Sequence, residues 1–169
     1  MPPATSARII LRRLHDVMAA KTAAQAKLNQ VVKVVADELG SEVASIYLLR
    51  DGVLELFATQ GLAQSAVHVT RLSMGQGLVG VIAARREPLS LAEAKAHPDF
   101  AYRPETGEDD FHSFCGVPIV RREAAIGVLA VQHREPRDYA EVEIEALQTV
   151  AMVLSELIHG AGLGIIHQP

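Results

Sequence analysis

The sequence predicts an α+β domain built on an antiparallel sheet. Two pairs of apolar, β-branched runs carry that expectation, residues 43–49 with 53–59 and residues 114–120 with 125–132. Each pair is joined by a hairpin-length break, and short connections force antiparallel pairing. Helical spacing of apolar residues fills the two ends of the chain, residues 6–39 and 138–159, instead of alternating with the strands. The 169 residues, 49% hydrophobic and 21% charged, suit one domain with a substantial core.

Composition excludes several functions. The net charge of -4, with no basic stripe, argues against nucleic acid as a partner. Cys115 is the only cysteine, so an internal disulfide and a cysteine-based metal cluster are excluded and a cytoplasmic protein is expected. No apolar run approaches the ~18 residues of a membrane span. The opening Met-Pro-Pro-Ala-Thr-Ser lacks a basic region followed by an apolar stretch, so no signal peptide is expected.

Ser6 is the expected N-cap of the first helical stretch, in which Ile10, Leu14, Val17, Ala24, Leu28, Val31 and Val35 recur at three and four. Lys21 interrupts the seam and Thr22 divides it into two helices. Residues 1–21 are thus a candidate dimerisation helix, and 22–159 the domain proper. Gly40 is the expected helix stop. In 43–49 both faces are apolar, which places this strand centrally. Arg50-Asp51-Gly52 has turn chemistry. Residues 66–72 read as a third, weaker strand.

The Gly75-Gln76-Gly77-Leu78-Val79-Gly80 run matches a dinucleotide-loop pattern. It lies far into the domain, no acidic strand end follows, and the neighbouring strands are antiparallel. It is therefore read as a glycine-rich entry to a short helix over 78–85. A short strand is expected at 87–91, and a short helix within 92–103 ahead of the breaking His97-Pro98 pair. An acidic turn at 104–110 leads into the second hairpin, residues 111–132, read as the floor of a small-molecule site. There Gly116 and Gly127 mark close approaches of backbone or ligand. Pro118 places its strand at an edge or at a local interruption. Asp138 with Glu141 suggests a capping box for the last helix, whose broad apolar face over 144–158 suits burial or a partner. Residues 160–169 read as a tail or linker.

Catalytic machinery is hard to assemble from these residues. None of the seven histidines pairs with another at helical ligand spacing, and each reads as surface or loop. No phosphate-binding loop, nucleophile elbow or carboxylate dyad is evident. No catalytic residue, metal or cofactor is therefore expected, and the chain alone is not expected to be an enzyme. Cys115 reads as a buried, inert thiol more readily than as a nucleophile.

The order of motifs nevertheless resembles a known family. Ser45-Ile46-Tyr47-Leu48, Gly77-Leu78-Val79-Gly80, His97-Pro98-Asp99-Phe100-Ala101-Tyr102, Pro104-Glu105-Thr106-Gly107-Glu108, Phe111 with Ser113-Phe114, Gly116-Val117-Pro118-Ile119 and Gly127-Val128-Leu129-Ala130-Val131-Gln132 together resemble a GAF domain. More narrowly they are similar to the N-terminal sensory GAF domain of nitrogen-related phosphotransferase enzymes I, which are bacterial phosphoenolpyruvate–protein phosphotransferases. The resemblance covers nearly the whole chain. It implies a sheet of about six antiparallel strands, helices on one face and a ligand pocket on the other. It implies a domain that binds glutamine, reports nitrogen status and controls autophosphorylation by the catalytic domains of a transferase. The phosphohistidine motif and phosphoenolpyruvate barrel of such enzymes are absent here.

Glutamine in that pocket needs partners for its ammonium, carboxylate and amide. Glu105 or Glu108 is the candidate for the ammonium. Arg103, or the backbone near Thr106-Gly107, is the candidate for the carboxylate. Ser113 and Tyr102 are candidates for the amide, Tyr47 and Phe111 for apolar walls, and Cys115 completes the candidate ligand-binding set. The alternatives are a ligand-free dimerisation module, or a GAF domain for another small ligand such as 2-oxoglutarate or a cyclic nucleotide. The phosphodiesterase-type signature that would favour the last is missing. A homodimer is expected.

Overall fold

The computed structural model describes residues 3–100, 104–106 and 111–163. Two helices open the chain, α1 (Pro3–Ala19) and α2 (Ala24–Leu39). They are separate, as Thr22 suggested. Ser6 is not the cap: the helix is already under way at Pro3, and proline is well tolerated in a first turn. Gly40 does stop α2. It sits at φ 62°, and the Ser41 N–H closes on the Ala36 carbonyl at 2.9 Å.

Six strands follow, with one helix among them and one after: β1 (Val43–Arg50), β2 (Val53–Gln60), β3 (Arg71–Ser73), α3 (Gly77–Arg85), β4 (Leu89–Leu91), β5 (Ser113–Arg121), β6 (Ala124–His133) and α4 (Glu141–Ala161). They form one antiparallel sheet in the order β3-β2-β1-β6-β5-β4. β1 is central and nearly all buried, as its doubly apolar pattern required. Both long hairpins turn on two residues of positive φ. These are Asp51 (50°) with Gly52 (78°), and Arg122 (52°) with Glu123 (64°). Such turns match the twist of the flanking strands. The second turn does this without glycine, and Arg86 of the α3 terminus donates to the Glu123 carbonyl across it.

The two sheet faces bury separate cores. On one, Ala44, Ile46, Leu48, Cys115, Val117, Ile119, Leu129 and Val131 pack under α1, α2 and α4, joined by Leu28, Val35, Leu147 and Leu154. On the other, Tyr47, Leu54, Leu56, Phe114, Val128 and Ala130 pack against Leu78, Val79 and Ile82 of α3. Ile10 and Leu14 of α1 are 2% and 1% exposed within the first core, so that part of the seam is satisfied inside the chain.

Pro118 resolves into a local edge. Among the described residues β4 pairs with Phe114, Cys115 and Gly116 of β5, and no strand pairs with that side of β5 at Pro118. Gly127 marks an approach of backbone, since a Cβ there would stand 2.4 Å from the Tyr47 carbonyl oxygen. Gly116 marks an approach of side chain, 2.6 Å from Ile82 Cδ1.

Three expected elements are corrected. The strand over 66–72 is a 3-10 turn (Gln64–Ala66) followed by the shorter β3, because His68 at φ 65° breaks the extended run. The strand over 87–91 shrinks to Leu89–Leu91 after Arg86 takes a left-handed conformation. The box at the head of α4 is shifted. Ala140 is the cap position, and its N–H donates to Glu143 Oε1 at 2.9 Å, leaving Asp138 outside the helix.

Candidate functional site

The α3 side of the sheet holds a small enclosed cavity. Tyr47 from β1, Phe114 from β5 and Gln132 from β6 form its floor. Leu78 and Val79 from α3 form one wall, with Thr70 and Leu72 beside them. Ala94, Phe100, Thr106 and Phe111 come from the connection between β4 and β5. That connection is fastened at several points. The Ala63 N–H donates to the Thr106 carbonyl (2.9 Å), the Ala94 N–H to the His112 carbonyl (2.6 Å), and Thr70 Oγ1 to Glu105 Oε2 (3.0 Å).

Among the described residues the lining is apolar with four polar side chains: Tyr47, Thr70, Thr106 and Gln132. No lysine or arginine lines it among the described residues. The cavity volume is about 30 Å3, room for a water molecule. Pockets that enclose organic ligands begin at about 300 Å3. A ligand of amino-acid size therefore requires the aromatic lining to move. A much larger groove, about 620 Å3, lies on the opposite side between the α1–α2 connection and the end of α4. It is an open trough lined by Met18, Val153 and Leu157, and its Lys27 already donates to the Met18 carbonyl at 2.8 Å. Convergent polar groups around an enclosed apolar space favour the smaller cavity as the site.

The structure brings together part of the set expected from sequence. Tyr47 and Phe111 both line the cavity, 5% and 6% exposed. Glu105 stands beside it, exposed and held by Thr70. Tyr102, Arg103 and Glu108 lie outside the described residues. Ser113 and Cys115 lie on the opposite face of β5 from the cavity. Successive residues of β5 face opposite sides, and Phe114 between them takes the cavity side. Ser113 Oγ instead lies 3.1 Å from the Tyr139 hydroxyl. Cys115 is wholly buried under the helices, and burial pushes its thiol up to about 12, so it is no nucleophile near neutral pH.

Tyr139 belongs to a polar chain that ties the helical layer to the end of β6. Its hydroxyl is hydrogen-bonded to His133 Nδ1 at 2.9 Å, and His133 Nε2 lies 2.7 Å from the Gly40 carbonyl oxygen and 2.7 Å from Arg137 Nη1. Arg137 also pairs with Glu143 and lies over the Tyr139 ring. His133 is thus buried, against the expectation of a surface histidine. Burial first, and the Arg137 guanidinium second, hold it below the ordinary histidine range.

Sequence reasoning missed Thr70 and Gln132, and offered Thr106 only for its backbone. Gln132 had a signal: it is the polar third member of a face that reads Val128, Ala130, Gln132 along an otherwise apolar strand.

The model of the GAF domain family matches residues 23–158. The chain is 34% identical over 155 residues to a phosphoenolpyruvate-dependent phosphotransferase system protein of Escherichia coli strain K12. That match covers 88% of the chain but spans about a fifth (21%) of the relative's length. Two solved structures cover nearly whole chains. The GAF domain of a phosphoenolpyruvate-protein phosphotransferase from Coxiella burnetii superposes with a TM-score of 0.89 at 34% identity, over 96% of this chain and 97% of that one. Its counterpart from Acinetobacter gives 0.82 at 30%, over 95% and 94%.

Proposed function

The chain belongs to the GAF domain family, and from that premise we propose that it is the sensory domain of a phosphoenolpyruvate–protein phosphotransferase whose ligand is free glutamine. The observation that carries this reading is the enclosed cavity with its uncharged polar lining and a carboxylate, Glu105, beside it. An uncharged interior suits the amide end of glutamine, and Glu105 suits its ammonium. Calorimetry is left to separate glutamine from 2-oxoglutarate and cyclic nucleotides, because each of them, glutamine included, brings an anionic group for which no cation stands in the described lining. Binding reports nitrogen status to the catalytic domains of the parent transferase and sets their autophosphorylation. The chain itself takes no phosphoryl group, and the proposal includes a cytoplasmic homodimer formed through the terminal helices. Among the described residues no helix is long and apolar enough to cross a membrane.

A second reading is favoured by one fact, the cavity volume of about 30 Å3. A GAF domain that kept the fold and lost its ligand would be a dimerisation module. Calorimetry with glutamine, glutamate and 2-oxoglutarate separates the two. The expected result is heat from glutamine and strong rejection of glutamate, because a carboxylate cannot donate to the acceptor the amide needs. No heat from any of the three while the protein is folded favours the dimerisation module.

A further inference from the structure

Gln132 lies near the end of β6, opposite Phe114 of β5 on one side and Val43 of β1 on the other. It is 7% exposed and lines the cavity. The other three polar side chains there are engaged: Thr70 donates to Glu105, and Tyr47 and Thr106 have partners of their own. The Gln132 carboxamide makes no hydrogen bond with any described residue. The buried polar atoms left without a partner among the described residues are Ser41 Oγ and Arg121 Nε, so the Gln132 amide is open to the cavity, where it is free to meet a ligand and where an apolar side chain of the same length would serve packing as well. A methionine would fill the same volume.

We propose that Gln132 is the specificity-determining residue of the cavity, and that its carboxamide reads the uncharged amide end of the ligand. The assignment rests on the glutamine reading and deepens it. A primary carboxamide offers one acceptor and two donors. Its complement is another primary carboxamide: Gln132 Nε2 donates to the ligand carbonyl, and Gln132 Oε1 accepts from the ligand amino hydrogens. A ligand carboxylate could take the first bond but would face Oε1 with an unpaired negative charge. An apolar side chain would make neither bond. Gln132 therefore replaces Ser113, which the pleat turns to the other face. The ligand lies with its amide toward the sheet, which leaves its ammonium on the side of Glu105.

The test is calorimetry on the intact chain and on Gln132→Met, with glutamine and with norleucine, whose side chain is as long but carries no amide. Leu78→Met, a neighbouring apolar exchange in the same lining, controls for disturbance of the cavity. The wild type should prefer glutamine. Gln132→Met should lose glutamine affinity by about tenfold to a hundredfold while norleucine binding holds or rises. Leu78→Met should move both ligands together. The ligand-free Gln132→Met protein should melt no lower than the wild type, because the exchange removes no hydrogen bond to a described residue. A variant that keeps the glutamine preference overturns the assignment and leaves the sensor reading standing. So does a variant that melts lower and loses both ligands in parallel, since Gln132 would then be serving the fold. If the wild type binds no glutamine, the sensor reading fails and this assignment fails with it.

Discussion

Gly127 and Gly116 fill similar places in the sequence and face different obstacles. A Cβ on Gly127 would meet the Tyr47 carbonyl oxygen of the neighbouring strand, which cannot move without shifting the ladder. One on Gly116 would meet the tip of Ile82, which can rotate away, and the Phe114 ring at 3.0 Å. Gly127→Ala is therefore expected to destabilise the fold by about 3 kcal/mol and Gly116→Ala by about 1 kcal/mol, read as urea midpoints at constant slope. His133 supplies a pH dependence. Its folded pKa lies below the ~6.5 of the unfolded chain. Between those two values the unfolded state binds more protons, so the contribution of this residue is fully present above about 6.5 and is lost as pH falls through the folded value. Urea midpoints at pH 7.5 and pH 5 should drop further in the wild type than in His133→Asn, which carries no titrating ring. Equal drops would assign the acid loss to carboxylates alone.

Elements were legible where local chemistry fixed them. Asp51-Gly52 and the three-residue charged break at 121–123 each mark a hairpin, and with antiparallel pairing secured, the order of the remaining elements follows. Residues 66–72 misled because apolar alternation is satisfied equally by a strand and by an irregular segment. Here the His68 N–H reaches the Leu56 carbonyl at 2.7 Å and the Thr70 carbonyl takes the Leu56 N–H at 3.0 Å, around one residue of β2. Part of the site was legible: Tyr47 and Phe111 came from the family pattern. The face of β5 was not. Alternation shows that Ser113 and Cys115 share a side, but both sides of β5 are apolar, so parity alone does not say which one meets the cavity. The start of α4 was misplaced for a related reason. Asp138 and Glu141 have capping spacing, yet Glu143 has the stronger claim because it also pairs with Arg137. Glu143→Ala removes the cap on the Ala140 N–H and leaves the half-buried Arg137 guanidinium without that partner. We expect a loss of about 2 kcal/mol, between that of a cap and that of a fully buried ion pair. Glu143→Gln, which can still accept from Ala140, should recover part of it.

At the scale of the whole molecule the two cores divide the labour. The helical side buries Ile10, Leu14, Leu28, Leu147 and Leu154 almost completely, while the α3 side keeps a cavity lined in part by polar side chains. The helical side, closely packed inward, offers its outer face for association. This makes the outer surface of the terminal helices the place to look for association. Ile10 and Leu14 are consumed internally, but Ile9 and Leu11 remain 39% and 45% exposed, and Met152 on α4 is 70% exposed. Leu11 lines a small pocket with Ala146 and Thr149 of α4, and Met152 follows Thr149 by three residues, on the same side of the helix. A two-fold pair laying these strips together would cover them all. Sedimentation should therefore give a dimer at micromolar concentration. Met152→Lys should shift it to monomer while the urea midpoint of the dilute protein stays within about 0.5 kcal/mol of the wild type, because Met152 touches no core. A wild type that sediments as a clean monomer would leave these residues as ordinary exposed apolar surface. A dimer indifferent to Met152→Lys would move the interface elsewhere, to the open trough lined by Met18 and Leu157 at the far end of α4.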